Sequence, residues 1–194
     1  MMTTSFCAVL DACVLVPMTL CDTLLSLADQ RLYRPLWSYM ILDEMERNAT
    51  KVMITNGMTA EVAAEGAAYR RSEMEANYPE ALVKGYESLI SVMTNDEKDR
   101  HVLAAAERGS AQLIVTNNTR DFPRSALDPY NIERKTADEF LIDLLGFDSH
   151  LVISAIQAMT AQKTRPPMTK LEMLQRIAKS APNFASAVLV HLES

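Results

Sequence analysis

Continuous apolar runs alternate with longer amphipathic segments along the first three quarters of the chain. Residues 6–10 (FCAVL) are apolar throughout, and residues 113–116 (LIVT) are apolar up to the final Thr116. Both runs are typical of strands buried on both faces of a parallel sheet. Weaker patterns predict short strands near Ile132 and at 88–92. The strands are separated by segments with helical periodicity, so the pattern predicts an α/β fold with helices on both faces of a central parallel sheet.

The helical segments carry recognisable start and stop signals. Thr19, Ser38 and Thr59 are placed as N-caps, and Gly109 is predicted to end a helix in the C′ position. Thr136 starts a capping box. The predicted helices span about 19–31, 39–49, 60–77, 98–109 and 136–145.

After Gly146 the pattern becomes purely helical. Helices are predicted at 149–162, from a second capping box at Thr169, and from Pro182 to the end of the chain. The pattern therefore predicts two parts, an α/β domain over 1–146 and a C-terminal α-helical extension over 147–194.

Composition narrows the class of protein. The chain has 194 residues, 48% of them hydrophobic, enough for one good-sized core. Its three cysteines (Cys7, Cys13 and Cys21) have no second cluster to pair with, and no histidine follows them at zinc-ligand spacing. This usage favours reduced thiols and a cytoplasmic location. The opening apolar run is broken by Asp11 and is too short for a membrane span, so no membrane association is expected.

Four acidic residues are placed where chemistry would be expected. Asp11 and Asp121 follow the two buried strands, Asp99 starts a helix, and Glu44 lies at the border of an apolar helix face. Because functional groups of open α/β sheets collect at the carboxyl ends of the strands, these four carboxylates are expected to converge. Hard oxygen ligands suit Mg²⁺ or Mn²⁺. The reaction predicted from such a site is hydrolysis of a phosphodiester by metal-activated water.

Each acid also has an ordinary structural interpretation. Asp11 could be a turn residue, and Glu44 could belong to a solvated helix face. Asp99 could be a helix-start acid favoured by the helix dipole, and Asp121 could form an Asx turn. The joint occurrence of the four acids in this order is what favours the metal site.

The net charge of −6 argues weakly against a nucleic-acid partner, but a bound cation changes the local sign of the charge.

These residues lie in stretches that resemble the PIN-domain family, which includes the VapC-like toxin ribonucleases of bacterial toxin–antitoxin pairs. The matching stretches are VLDACVLVP, WSYMILDEMERN, KDRHVLAAAERGSAQLIVTNNTRDFP and IERKTADEFL. They lie in the family's order within the α/β domain. The resemblance implies a three-layer α/β/α fold, a Mg²⁺ or Mn²⁺ site and endoribonuclease activity. The family's acids carry over to Asp11, Glu44 and Asp99.

The fourth acidic position departs from the family pattern. Many members have an aspartate two residues after the threonine, where this chain has Asn118. Asp121 is then the acid that could serve as fourth catalytic and metal-binding residue, and Asn118 could add an uncharged amide ligand. Cys13 replaces a small hydroxyl or amide residue and is expected only to pack.

Substrate contacts are less specific in the sequence. Thr116 either holds a water molecule of the metal or simply ends its strand. Arg120 and Arg100 flank the acids and are the candidate phosphate contacts, although ordinary surface charges are an equal interpretation.

The leading hypothesis is a metal-dependent endoribonuclease that is the toxin of a toxin–antitoxin pair. It would act on RNA and be neutralised by a small antitoxin protein, and its methionine-rich helices would offer apolar surface for a homodimer. The alternatives are a housekeeping nuclease for DNA or structured RNA, and a catalytically weak nucleic-acid- or protein-binding module.

Overall fold

A computed structural model describes residues 6–164 and 167–193 of the chain. Its sheet has four parallel strands in the order β2-β1-β3-β4. The strands are β1 (Cys7–Leu10), β2 (Arg34–Leu36), β3 (Leu113–Val115) and β4 (Glu133–Lys135). The helices are α1 (Ala12–Leu15), α2 (Met18–Asp29), α3 (Tyr39–Thr55), α4 (Ala60–Asn77), α5 (Arg100–Arg108), α6 (Arg124–Leu127), α7 (Ala137–Phe147), α8 (Ser149–Gln162), α9 (Lys170–Ile177) and α10 (Pro182–Glu193).

The two apolar runs form the central strands, as predicted. Val9, Leu10, Ile114 and Val115 are fully buried, so both faces of the sheet centre are covered. Helix α5 packs on β1 and β3, whereas α2 and α7 contact the outer strands and are joined by α8. The predicted three-layer α/β/α arrangement is confirmed. Leu10 is the register partner of Val115, so β1 and β3 end side by side.

The C-terminal helices pack onto the α/β part through α2 and α7. The carboxylate of Asp138 on α7 caps the start of α10, where it accepts hydrogen bonds from the backbone N–H groups of Asn183 (3.2 Å) and Phe184 (2.8 Å). Phe184 and Val188 are fully buried and belong to the same hydrophobic cluster as the sheet. The helical extension is present, while its separation from the rest at residue 146 stays a prediction.

Two predicted local features are wrong, and one strand was not predicted. The segment near 88–92 is a 3₁₀ helix (Glu87–Val92) that packs against α5 instead of pairing with a strand. Thr19 is not an N-cap, because α2 begins at Met18 with Pro17 in the cap position. Strand β2 was missed, since it is only three residues long and contains Pro35. By contrast, Ser38 and Thr59 are N-caps as predicted. Their side-chain oxygens accept hydrogen bonds from the backbone N–H groups of the third residue of α3 and of α4.

Gly109 ends α5 for a different reason from the one predicted. Its φ is −82°, and the left-handed conformation is taken by Ser110 at φ 52°. A Cβ at residue 109 would lie 2.9 Å from Leu36 Cδ1 and 3.0 Å from Val83 Cγ2. Glycine is therefore required here for close approach, not for backbone freedom.

Candidate metal centre

Asp11 lies at the carboxyl end of β1, directly beside the end of β3. Its backbone N–H still donates to Val115 O at 3.1 Å, which fixes the point where the chain leaves the sheet. The side chain is only 2% exposed. A buried carboxylate needs partners, and Oδ2 accepts hydrogen bonds from the Thr116 hydroxyl (2.6 Å) and the Cys13 thiol (3.1 Å).

Thr116 and Cys13 connect Asp11 to the loop that follows β3. The Thr116 hydroxyl oxygen accepts the backbone N–H of Asn118 at 3.0 Å, and Cys13 Sγ accepts that of Asn117 at 3.2 Å. Burial and the nearby Asp11 charge raise the pKa of Cys13 to about 12, so the thiol remains protonated as a donor. Cys13 therefore does more than pack, because it orients Asp11.

Asp99 is placed by the turn that precedes α5. It is 8% exposed and ends a 3₁₀ helix (Glu97–Asp99), and its backbone N–H donates to Asp96 O at 3.0 Å. Burial is the largest cause that raises the pKa of Asp99 to about 7, and the charges of Asp11, Asp121 and Glu44, in that order, account for part of the same rise. The four predicted acids are therefore close enough to repel one another.

Glu44 reaches the same region from α3. Asn48 donates its amide N–H to Glu44 Oε1 at 3.4 Å, and Glu44 Oε2 lies 3.8 Å from His101 Nε2. The side chain retains 29% exposure, so it borders both the core and solvent.

Asp121 is half-buried at the end of a 3₁₀ helix (Thr119–Asp121) after β3. Its carbonyl accepts the backbone N–H of Asp96 at 3.1 Å, which joins this loop to the one before α5. Asn118 and Arg120 are exposed on the same loop. Arg100 is half-buried, and its Nε donates to the Asn95 carbonyl at 3.5 Å rather than to an acid.

Two buried polar residues near the acids were not among the predicted site residues. His101 is 5% exposed and Asn95 is 4% exposed. Within the described part of the chain, His101 Nε2 and both amide atoms of Asn95 have no hydrogen-bond partner. His101 sits on the buried face of α5, where its spacing is that of a core residue, and no sequence signal marks Asn95.

The chemistry of this set suits a divalent cation. Its donors are hard carboxylate oxygens, and the charges of Asp11, Asp121 and Glu44 add to the burial that raises the pKa of Asp99. Over residues 6–164 and 167–193, however, no three His, Cys, Asp or Glu side chains are arranged as a ready-made ligand group. A cation would therefore have to draw the carboxylates together.

None of the described helices combines the length and the apolar composition that a membrane span needs.

Comparison with known proteins agrees with this architecture. Residues 7–120, more than half of the chain, match the family described as "PIN domain". The chain belongs to the PIN-domain family. Residues 137–189 of this PIN-domain protein also match the family described as "VapC50 C-terminal domain". The first match includes Asp11, Glu44 and Asp99 and ends just before Asp121.

One relative of this PIN-domain protein is described as "Putative ribonuclease VapC50", from Mycobacterium tuberculosis strain H37Rv. The two are 41% identical over 106 residues, which is 55% of this chain and 63% of the relative. The aligned part thus spans less than two thirds of the relative's length. No solved structure gives a significant match.

Proposed function

We propose that this PIN-domain protein is a divalent-metal-dependent endoribonuclease and acts as the toxin of a toxin–antitoxin pair. The observation that supports the proposal is that Asp11, Asp121 and Glu44 all contribute to the raised pKa of the buried Asp99, while Asp11 and Asp121 follow β1 and β3 along the chain. Burial is the largest cause of that raised pKa, and repulsion from the other three carboxylates adds to it. Stability alone gives no reason to bury Asp11 and Asp99 beside other carboxylates.

The proposed roles of the site residues are metal binding and the orientation of Asp11. Asp11, Glu44, Asp99 and Asp121 would hold Mg²⁺ or Mn²⁺, with the Asn118 amide oxygen as an additional neutral ligand. When bound, such a cation would supply Lewis-acid stabilisation of the phosphate and activation of water. Thr116 and Cys13 orient the Asp11 carboxylate through their hydrogen bonds.

Substrate binding is assigned to cations at the rim of the site. Arg120 is exposed beside Asp121 and forms no ion pair with any residue that the structure describes, so it is available to an RNA phosphate. Arg100 is the weaker candidate, because its guanidinium already contacts the Asn95 carbonyl. Thr116 is assigned to Asp11 rather than to RNA, since its hydroxyl is buried between Asp11 and Asn118.

RNA as substrate is supported by the relative, whose description names a ribonuclease. The toxin role and the small antitoxin protein follow from the resemblance to VapC-like toxins. A toxin of this kind must be held inactive in its host, so a partner that covers the acid cluster is expected. Homodimerisation stays a prediction.

The test is cleavage of a mixed RNA pool by the purified protein with Mg²⁺, Mn²⁺ or EDTA. Asp11→Asn and Asp99→Asn should each lower the rate at least about 100-fold, as expected when charge stabilisation in the transition state is removed. Asp148→Asn is the matched control, because Asp148 caps α8 and asparagine caps equally well. Cleavage in EDTA, or cleavage that survives both site substitutions, would contradict the proposal.

A further inference from the structure

His101 is a buried histidine with one ring nitrogen bonded and the other unpartnered. Nδ1 lies 2.9 Å from the Lys98 carbonyl oxygen one turn earlier in the chain. Nε2 is buried without a hydrogen-bond partner in the described residues, 3.8 Å from Glu44 Oε2. Buried polar atoms are almost always satisfied, so this nitrogen requires an explanation.

The bond at Nδ1 determines what Nε2 can offer. A carbonyl oxygen only accepts hydrogen bonds, so Nδ1 must carry the proton. In the neutral ring Nε2 therefore presents a lone pair. That lone pair faces a carboxylate oxygen, which is also a Lewis base. A cation placed between the two atoms would satisfy both.

The surrounding groups favour a metal ion in that place. The Nδ1–H···O=C bond is the arrangement that fixes metal-ligating histidines in one tautomer and orientation. Glu44 contributes to the electrostatic field at Asp99, so the pair borders the acid cluster. The 3.8 Å gap is within reach of two metal–ligand bonds of about 2.1 Å each.

We propose that His101 Nε2 and Glu44 form a nitrogen–oxygen ligand pair that makes the acid cluster prefer a first-row transition cation to Mg²⁺. The inference rests on the proposed function in taking this cluster as a divalent-metal site. Imidazole nitrogen is a good ligand for the later first-row cations such as Co²⁺, Ni²⁺ and Zn²⁺, whereas Mg²⁺ prefers oxygen ligands. His101 thus sets which metal the site selects.

The test measures metal binding without RNA. Co²⁺ binding is followed by its visible absorption, and Mg²⁺ binding by competition against Co²⁺, in wild type and in His101→Asn. Asparagine places an amide N–H where Nδ1 was, so it retains the bond to Lys98 O and removes only Nε2. His150→Asn, at an exposed position of α8, is the control. Glu44→Gln reports the other half of the pair.

His101→Asn should weaken Co²⁺ binding at least about tenfold and leave Mg²⁺ binding within about twofold. Glu44→Gln should weaken both metals. Equal loss of Co²⁺ and Mg²⁺ in His101→Asn would mean a structural role, and no loss of either would mean that a proton or water occupies the gap. Either result overturns the inference. Selective Co²⁺ binding without RNA cleavage would support the inference while contradicting the nuclease.

Discussion

Asp99→Asn should stabilise the metal-free protein at pH 8, although it removes a residue of the proposed centre. The pKa of Asp99 is raised from 3.8 to about 7. At about 1.36 kcal/mol for each pH unit, ionising this group in the folded state costs about 4 kcal/mol relative to the unfolded chain. Because part of that cost is shared among coupled acids, the expected gain in the free energy of unfolding is about 2–4 kcal/mol.

The sign of the pH dependence follows from the same shift. Between pH 4 and 7 the folded protein binds the Asp99 proton more tightly than the unfolded chain does. Stability therefore falls as the pH rises through this window, and the loss is complete above about pH 7. The advantage of Asp99→Asn should accordingly shrink by roughly 2–3 kcal/mol between pH 8 and pH 5.

Urea unfolding in EDTA at both pH values measures these differences. Asp96→Asn is the control, because Asp96 is exposed, contributes least to the raised pKa of Asp99, and its cap on Lys98 N–H survives in asparagine. Mg²⁺ or Mn²⁺ should restore stability to wild type more than to Asp99→Asn. The reasoning fails if Asp99→Asn is no more stable than wild type at pH 8, or if its advantage does not depend on pH.

Three further substitutions test the supporting structure. Thr116→Val should lower the free energy of urea unfolding by about 1–3 kcal/mol and slow RNA cleavage, because it removes the hydroxyl between Asp11 and the Asn118 N–H. Thr116→Ser retains a hydroxyl and should therefore retain both the stability and the RNA cleavage rate. Asp138→Ala should lower the free energy of unfolding by about 1–2 kcal/mol and make the α10 segment more sensitive to limited proteolysis, because it removes the cap of that helix. An unchanged rate of proteolysis would contradict the capping role. Gly109→Ala should lower the melting temperature by the equivalent of about 1–3 kcal/mol, because the new Cβ would meet Leu36 and Val83. Gly146→Ala is the control, since the space around Gly146 is open, and it should be neutral or stabilising by up to about 1 kcal/mol. Equal effects of the two substitutions would refute the close-approach argument.

The sequence predicted the features that depend on strong local patterns. Val9 and Ile114 lie in apolar runs that are typical of buried strands, and Ser38 and Thr59 are capping residues placed before clear helical periodicity. The acids were found because they interrupt or end these patterns. Asp11 follows a buried strand, and its carboxylate is only 2% exposed.

The features that were missed depend on tertiary contacts. Strand β2 exists because it pairs with β1, and its Arg-Pro-Leu sequence carries little strand preference. Gly109 looked like a left-handed cap, but what requires it is the closeness of Leu36 and Val83. His101 has the spacing of a core residue, and only the geometry at Lys98 and Glu44 shows that Nε2 is unpartnered.

The most direct test of the central claim is the position of Mn²⁺ in crystals of the protein, located by anomalous X-ray scattering. The account predicts a peak at the carboxyl ends of β1 and β3, within ligand distance of Asp11 and Asp99, and loss of that peak in Asp99→Asn. A peak elsewhere, or none in the wild-type protein at millimolar Mn²⁺, would contradict the assignment of these acids to a metal centre.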